Sequence, residues 1–113
     1  MKAFIHEFGQ LKNGEVAEPI AEKGQVIVAL KTAGLNRRDL YIQNRRGKDS
    51  EALVLGSDGA GIIEAVGEGV ANVAVGDEVI VNPALRWHEN SVSPPETFDI
   101  LGMPDDGTFA EKI

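Results

Sequence analysis

A mainly β domain, closed as a barrel or a sandwich, is the fold class this sequence predicts. Three observations predict it. Thirteen glycines are spaced among Val- and Ile-rich runs, the pattern of short strands joined by tight turns. Only one stretch, 36–46, reads as a clear helix. The length of 113 residues fits one domain with a modest core. Closing such a sheet covers its unpaired edges, hence a barrel or sandwich.

Each element follows in turn. Residues 1–8 read as a strand. Asn13-Gly14 is a turn signal, and Glu18-Pro19 follows in an extended stretch. GQVIVALKTAG, 24–34, is a strand through its β-branched Val26, Ile27 and Val28. AGIIEAVG (60–67) and DEVIVNP (77–83) are two more strands, and GTFAEKI (107–113) reads as the last. Between them, 84–106 forms an irregular lobe with no sustained periodicity and with Pro94, Pro95 and Pro104. A loop of that length inside a compact domain is functional or mobile. No internal repeat is present.

Composition excludes several classes. Eleven Lys and Arg stand against 18 Asp and Glu, a net charge of −7. Nucleic acid and anionic lipid would repel such a chain. No apolar run approaches the roughly 18 residues of a membrane span. His6 and Glu7 interrupt the N-terminal apolar stretch, so it does not read as a signal peptide. With no cysteine there is no disulfide, no Cys-ligated zinc and no thiol nucleophile. A cytoplasmic protein is expected.

Gly67-x-Gly69 raises the question of a phosphate loop. A dinucleotide loop needs GxGxxG between a strand and a helix, but the third position is Asn72 and VANVAVGDEVIV follows without a helical stripe. A turn between strands explains the glycines better.

GLNRRDL, 34–40, is a well-specified helix start. Asn36 suits the N-cap, Asp39 can reach back to it as in a capping box, and Leu35 and Leu40 stand at the staple positions. Arg37 and Arg38 oppose this pattern, because cations in a first turn face the positive end of the helix dipole. Arg45, Arg46 and Lys48 follow closely. An anion site, such as one for a cofactor phosphate, and a solvated face paired with nearby acids are both open readings.

AGLNRRDLY, the long LGSDGAGIIEAVGEGVANVAVGDEVIV, Asn82-Pro83 and GTFAEKI together resemble the N-terminal catalytic domain of the medium-chain dehydrogenase/reductase superfamily. The resemblance spans essentially the whole chain, 1–113. It implies a GroES-like, partly open β-barrel with one or two short helices. It also implies an oxidoreductase parent that is homo-oligomeric, acts on a small-molecule substrate and holds NADP or NAD mostly through a Rossmann domain absent from this chain. By this reading the chain is a truncated part of a longer two-domain enzyme and is inactive alone.

Zinc-type members of the family place Cys where Asn36 stands and His-Glu where Ser57-Asp58 stand, and their four-Cys structural-zinc lobe would fall in 84–106. Asn36 and Ser57 are poor zinc ligands, leaving Asp58 alone. The resemblance is thus to the zinc-free branch of quinone oxidoreductases and enoyl reductases, with no zinc expected. It assigns Asn36 to orienting substrate or nicotinamide, Tyr41 to hydrogen bonding in the cleft, and Arg37 or Arg38 to cofactor phosphate or ribose. Asp58 is expected to bond either the backbone or the cleft. Tyr41 also reads as a core aromatic, His6 as structural, and His88 with Trp87 and Glu89 as entrance or solvent-exposed loop residues. Two other functions remain in view: a zinc-type alcohol dehydrogenase with altered ligands, and a stand-alone GroES-like binding or assembly module.

Overall fold

The structure, a computed structural model, describes every residue from Met1 to Ile113. Strands β1 (Lys2–Glu7) and β2 (Gln10–Glu15) open the chain, followed by β3 (Val26–Gly34), helix α1 (Arg37–Arg45) and β4 (Leu53–Val54). Then come β5 (Asp58–Val66), β6 (Glu78–Ile80), β7 (Ala84–Leu85) and β8 (Asp99–Ile100). They form two antiparallel three-stranded sheets, β2-β1-β4 and β3-β5-β6, and a small β7-β8 ladder. No helix is long and apolar enough to cross a membrane.

The first hairpin departs from expectation. Asn13 and Gly14 lie inside β2, paired with Phe4 and Ala3. The turn sits at Phe8 and Gly9, with φ of +47° and +78°. Both central residues of a tight hairpin turn need positive φ, and with the turn there Ile5 of β1 lies over Gly14. The 77–83 strand is shorter than expected, three residues long in β6. The 84–106 lobe is mostly irregular but carries the β7-β8 ladder. After β5, Gly67 N–H bonds Gln25 O at 2.7 Å and Gly24 N–H bonds Glu68 O at 2.8 Å. That is a turn stapled to the loop before β3, with no helix after it.

Residues 107–113 do not form a regular strand. They cross from one sheet to the other instead. Phe4 N–H bonds Phe109 O (2.8 Å) and Phe109 N–H bonds Leu55 O (2.8 Å) on the first sheet's side. Val28 N–H bonds Ile113 O (2.7 Å) and Leu30 N–H bonds Glu111 O (2.9 Å) on the second. The backbone here runs so close to its neighbour that a Cβ on Gly107 would stand 2.0 Å from Gly56 O. Phe109 packs against both apolar clusters, Ala3–Ile5–Val54 and Ile42–Leu53–Leu55. One side chain therefore ties the core together where the backbone closes the barrel.

The end of α1 is latched to β1. Arg46, the C-cap, donates through Nη1 to His6 O (2.8 Å) and to His6 Nδ1 (3.1 Å), and through Nη2 to Glu51 O (2.6 Å). Arginine only donates, so Nδ1 accepts and the ring proton resides on Nε2. That Nε2 is buried without a partner, and His6 is fully buried. Burial first, and the Arg46 charge second, hold His6 below its ordinary value of 6.5. The expectation that His6 is structural agrees with this latch.

Two outcomes follow. Below pH 6.5 the unfolded chain binds a proton at His6 that the folded one resists, so stability drops as pH falls, until the folded value is passed. The urea midpoint should fall more steeply between about pH 7 and pH 5 in the native protein than in His6→Gln. Gly107→Ala should cost about 3 kcal/mol by overpacking. Gly69→Ala, whose Cβ meets nothing within 4 Å but whose φ is +83°, should cost only about 1–2 kcal/mol.

Candidate functional site

Helix α1 starts as its sequence dictates. Asn36 is extended, its Oδ1 accepts from Arg38 N–H (3.0 Å), and Asp39 Oδ2 accepts from Asn36 N–H (2.9 Å). The capping box closes in both directions and satisfies donors that a helix start leaves open. The staple does not form as a buried pair, since Leu35 is 92% and Leu40 66% exposed.

At 100° per residue, α1 has two unlike faces. Asp39 and Ile42 are buried, Arg38 and Arg46 half-buried. Arg37, Leu40 and Tyr41, at i, i+3 and i+4, share the opposite face and are exposed. Tyr41 is thus on the outer face and not a core aromatic. The outer face brings together a cation, an apolar side chain and an aromatic hydroxyl, beside the helix N-terminus.

The two first-turn arginines part company here. Arg37 makes no ion pair and faces solvent. Arg38 turns inward. Its Nη1 bonds Leu101 O (3.1 Å) and Ser57 Oγ (3.3 Å), and its Nη2 bonds Met103 O (3.0 Å) and Ile100 O (3.4 Å). Burial, and then the Arg45 charge, draw its guanidinium below the ordinary arginine value, while Asp39 acts in the opposite sense. Ser57, 2% exposed, donates its own hydroxyl to Leu101 O at 2.6 Å.

Asp58 opens β5 opposite Gly34, two residues before the helix cap. Its Cβ lies 3.2 Å from where a Gly34 Cβ would stand, so glycine is what lets the two strands meet there. Asp58 O accepts from Thr108 Oγ1 (2.9 Å), and its carboxylate is half-exposed. Gly34 and its strand partner thus set Asp58 at the strand end that leads into Asn36.

No three His, Cys, Asp or Glu side chains converge at metal-ligating reach. The lobe that would hold four cysteines in zinc-type proteins is braced otherwise. Arg86 forks onto Asp99 (2.8 Å) and Asp105 (3.1 Å), and bonds to Asp105 first and Asp99 second raise its value. Trp87 meets Phe98 edge-on, with centroids 5.3 Å apart. Trp87 is half-buried, while His88 and Glu89 are exposed loop residues.

Sequence reasoning missed Arg38 and Ser57 as one network. It paired Arg37 with Arg38 because they adjoin in the chain. Helical periodicity carried the signal: Arg38 stands four residues before buried Ile42, on the inner face.

Residues 22–113 match the family described as the alcohol dehydrogenase GroES-like domain. The zinc-type alcohol dehydrogenase-like protein C1773.06c of Schizosaccharomyces pombe is 41% identical over 110 residues, which cover 93% of this chain and 31% of that protein. The crystal structure of an NAD-dependent alcohol dehydrogenase superposes on all of this chain with a TM-score of 0.83 and 33% identity, and the match covers 36% of that chain. The crotonyl-CoA carboxylase/reductase AntE in complex with NADP gives 0.80 at 26% identity, covering 99% of this chain and 34% of that one. The chain therefore spans about a third of the length of these relatives.

The cap predicts a stability effect separable from function. Asn36→Ala should cost about 1 kcal/mol in urea unfolding, and Asn36→Ser, which keeps a capping oxygen, only a few tenths.

Proposed function

Because the chain belongs to the alcohol dehydrogenase GroES-like domain family of the medium-chain dehydrogenases and reductases, we propose that it is the substrate-binding and catalytic part of a zinc-independent, NAD(P)H-dependent oxidoreductase of the quinone or activated-alkene reductase type. The observation that carries this reading is the state of the residues where zinc-type members hold metal. Asn36 Oδ1 is taken by Arg38 N–H, and Ser57 Oγ is buried between Arg38 and Leu101 O. Asp58 alone is left, and one carboxylate does not make a tetrahedral set. A guanidinium 3.3 Å from Ser57 Oγ also sets a cation beside one of these three residues, and like charges repel. The residues present do not fit zinc.

The remaining groups suit chemistry with little need of a Lewis acid. With its Oδ1 held by the cap, Asn36 has its Nδ2–H donors left for a ligand. Charge developing on the acceptor's carbonyl or quinone oxygen can be met by such a fixed donor. Tyr41 offers a second donor, its hydroxyl, on the neighbouring helix face, and Arg37 an unpaired cation for a cofactor phosphate. The nicotinamide cofactor, when bound, supplies the hydride. Exposed Leu35, Leu40 and Tyr41 give this face the apolar surface that a second domain would cover. By this reading the 113 residues alone transfer no hydride.

A second reading is favoured by one observation, the zinc-type name of the Schizosaccharomyces pombe relative: an alcohol dehydrogenase that keeps a metal on altered ligands. Metal analysis separates the two. The proposed function predicts substoichiometric zinc in the purified full-length enzyme, and NAD(P)H oxidation by quinones or enones that survives dialysis against a chelator. One zinc per chain, lost together with activity, would overturn it in favour of the second reading.

A further inference from the structure

We propose that Arg38 is a positioning residue, the clamp that fixes residues 100–103 of the lobe against the start of α1 and so holds Asn36 in its orienting pose. This deepens the function proposed above, since it takes from it the role of Asn36. The clamp itself stands on the geometry alone.

The guanidinium's two terminal nitrogens carry four N–H groups, and four acceptors meet them: the carbonyls of Ile100, Leu101 and Met103 and the Ser57 hydroxyl. Every acceptor is neutral. A carboxylate partner would make this an ordinary ion pair, and none is bonded here. The three carbonyls belong to one tight turn, in which Met103 N–H points back at Ile100 O. Leu101 O also takes the Ser57 hydroxyl and Ile100 O the Met103 N–H, but Met103 O has its donor in Arg38, and a part-buried carbonyl left without a donor is costly. One planar fork satisfies the turn's convergent oxygens. Lysine, with a single pivoting ammonium, reproduces neither the plane nor the reach.

Arg38 also links two elements. Its backbone N–H is the donor that Asn36 Oδ1 accepts, at 3.0 Å. Its side chain holds the lobe. The lobe has other hydrogen-bonded ties, none of them to the helix: Ser57 Oγ donates to Leu101 O, Leu101 N–H bonds Pro83 O, and Asp106 Oδ1 accepts from Val54 N–H. Arg86 braces the lobe internally through Asp99 and Asp105. Arg38 is thus the side chain that hydrogen-bonds residues 100–103 to the helix, beside the apolar packing of Met103 on the Ile42–Leu53–Leu55 cluster, and a displaced Arg38 loosens the lobe and the cap residue together.

Hydrogen exchange across the whole chain tests this, with Arg38→Ala and Arg38→Lys beside the native protein. In Arg38→Ala the amides of Leu101, Gly102 and Met103 should exchange about tenfold or more faster, with β1 and β3 unchanged. Arg38→Lys should not restore protection, whereas millimolar guanidinium added to Arg38→Ala should restore part of it. Unchanged exchange at 101–103, or full protection with lysine, would overturn the clamp. Should Arg38→Ala fail to fold, the native protein decides. NMR should show Arg38 Nη protons as separate, slowly exchanging signals at low temperature, and a single averaged signal would overturn the proposal. None of these readouts requires turnover. A full-length enzyme that fails to reduce any acceptor would overturn the proposed function and leave the clamp intact.

Discussion

Residues 107–113 link the two sheets, and the rest of the architecture depends on that link. Phe109 exchanges backbone bonds with Phe4 and Leu55 on one side, and Glu111 and Ile113 bond Leu30 and Val28 on the other. The approach is close enough that Gly56 and Gly107 leave no room for side chains between them. The same contact positions the site. Thr108, next to Gly107, donates to Asp58 O, and Asp58 faces Gly34 at the strand end that leads into the Asn36 cap. Without the closing segment, β3 and β5 would still pair, but the first sheet and the helix packed on it would lose their registration with them.

Around the cap, one side-chain cation organises several segments. A dication gathers ligands from distant segments and fixes their geometry. Here the Arg38 guanidinium gathers three carbonyls and a hydroxyl from the lobe and from β5's approach. Its desolvation is offset by four charge-assisted bonds, each stronger than a neutral one. Within the lobe, the Arg86 fork and the Trp87–Phe98 pair do the bracing. The Arg86 ion pairs are partly exposed and so are screened by salt. The outer face of α1 is left free of such commitments, with Arg37, Leu40 and Tyr41 open to a ligand or a second domain.

Local signals in the sequence were legible where the structure answers to local physics. Val26, Ile27 and Val28 mark β3, and Asn36 with Asp39 mark the helix start, because propensity and capping act within a few residues. The glycine pair at 67 and 69 read as a turn for the same reason. Asn13-Gly14 misled because turn chemistry is only one vote on register. The pairing of β1 with β2 set the turn at Phe8-Gly9 instead. Residues 107–113 read as a strand, yet their partners are more than 50 residues away on two different sheets, which periodicity cannot reveal. Arg38 was placed with Arg37 by adjacency. Its acceptors at 100–103 lie in a stretch without periodic pattern, so nothing local disclosed them.

The central proposal is that this chain is the catalytic domain of a zinc-independent two-domain oxidoreductase. Reading the gene past the codon for Ile113 tests it most directly. The account predicts an open frame that continues into a strand, a GxGxxG turn and a helix, the cofactor-binding unit that the Asn36–Arg37–Tyr41 face is proposed to meet. A stop codon directly after Ile113 would contradict it, leaving a free-standing barrel whose open helix face serves binding or assembly.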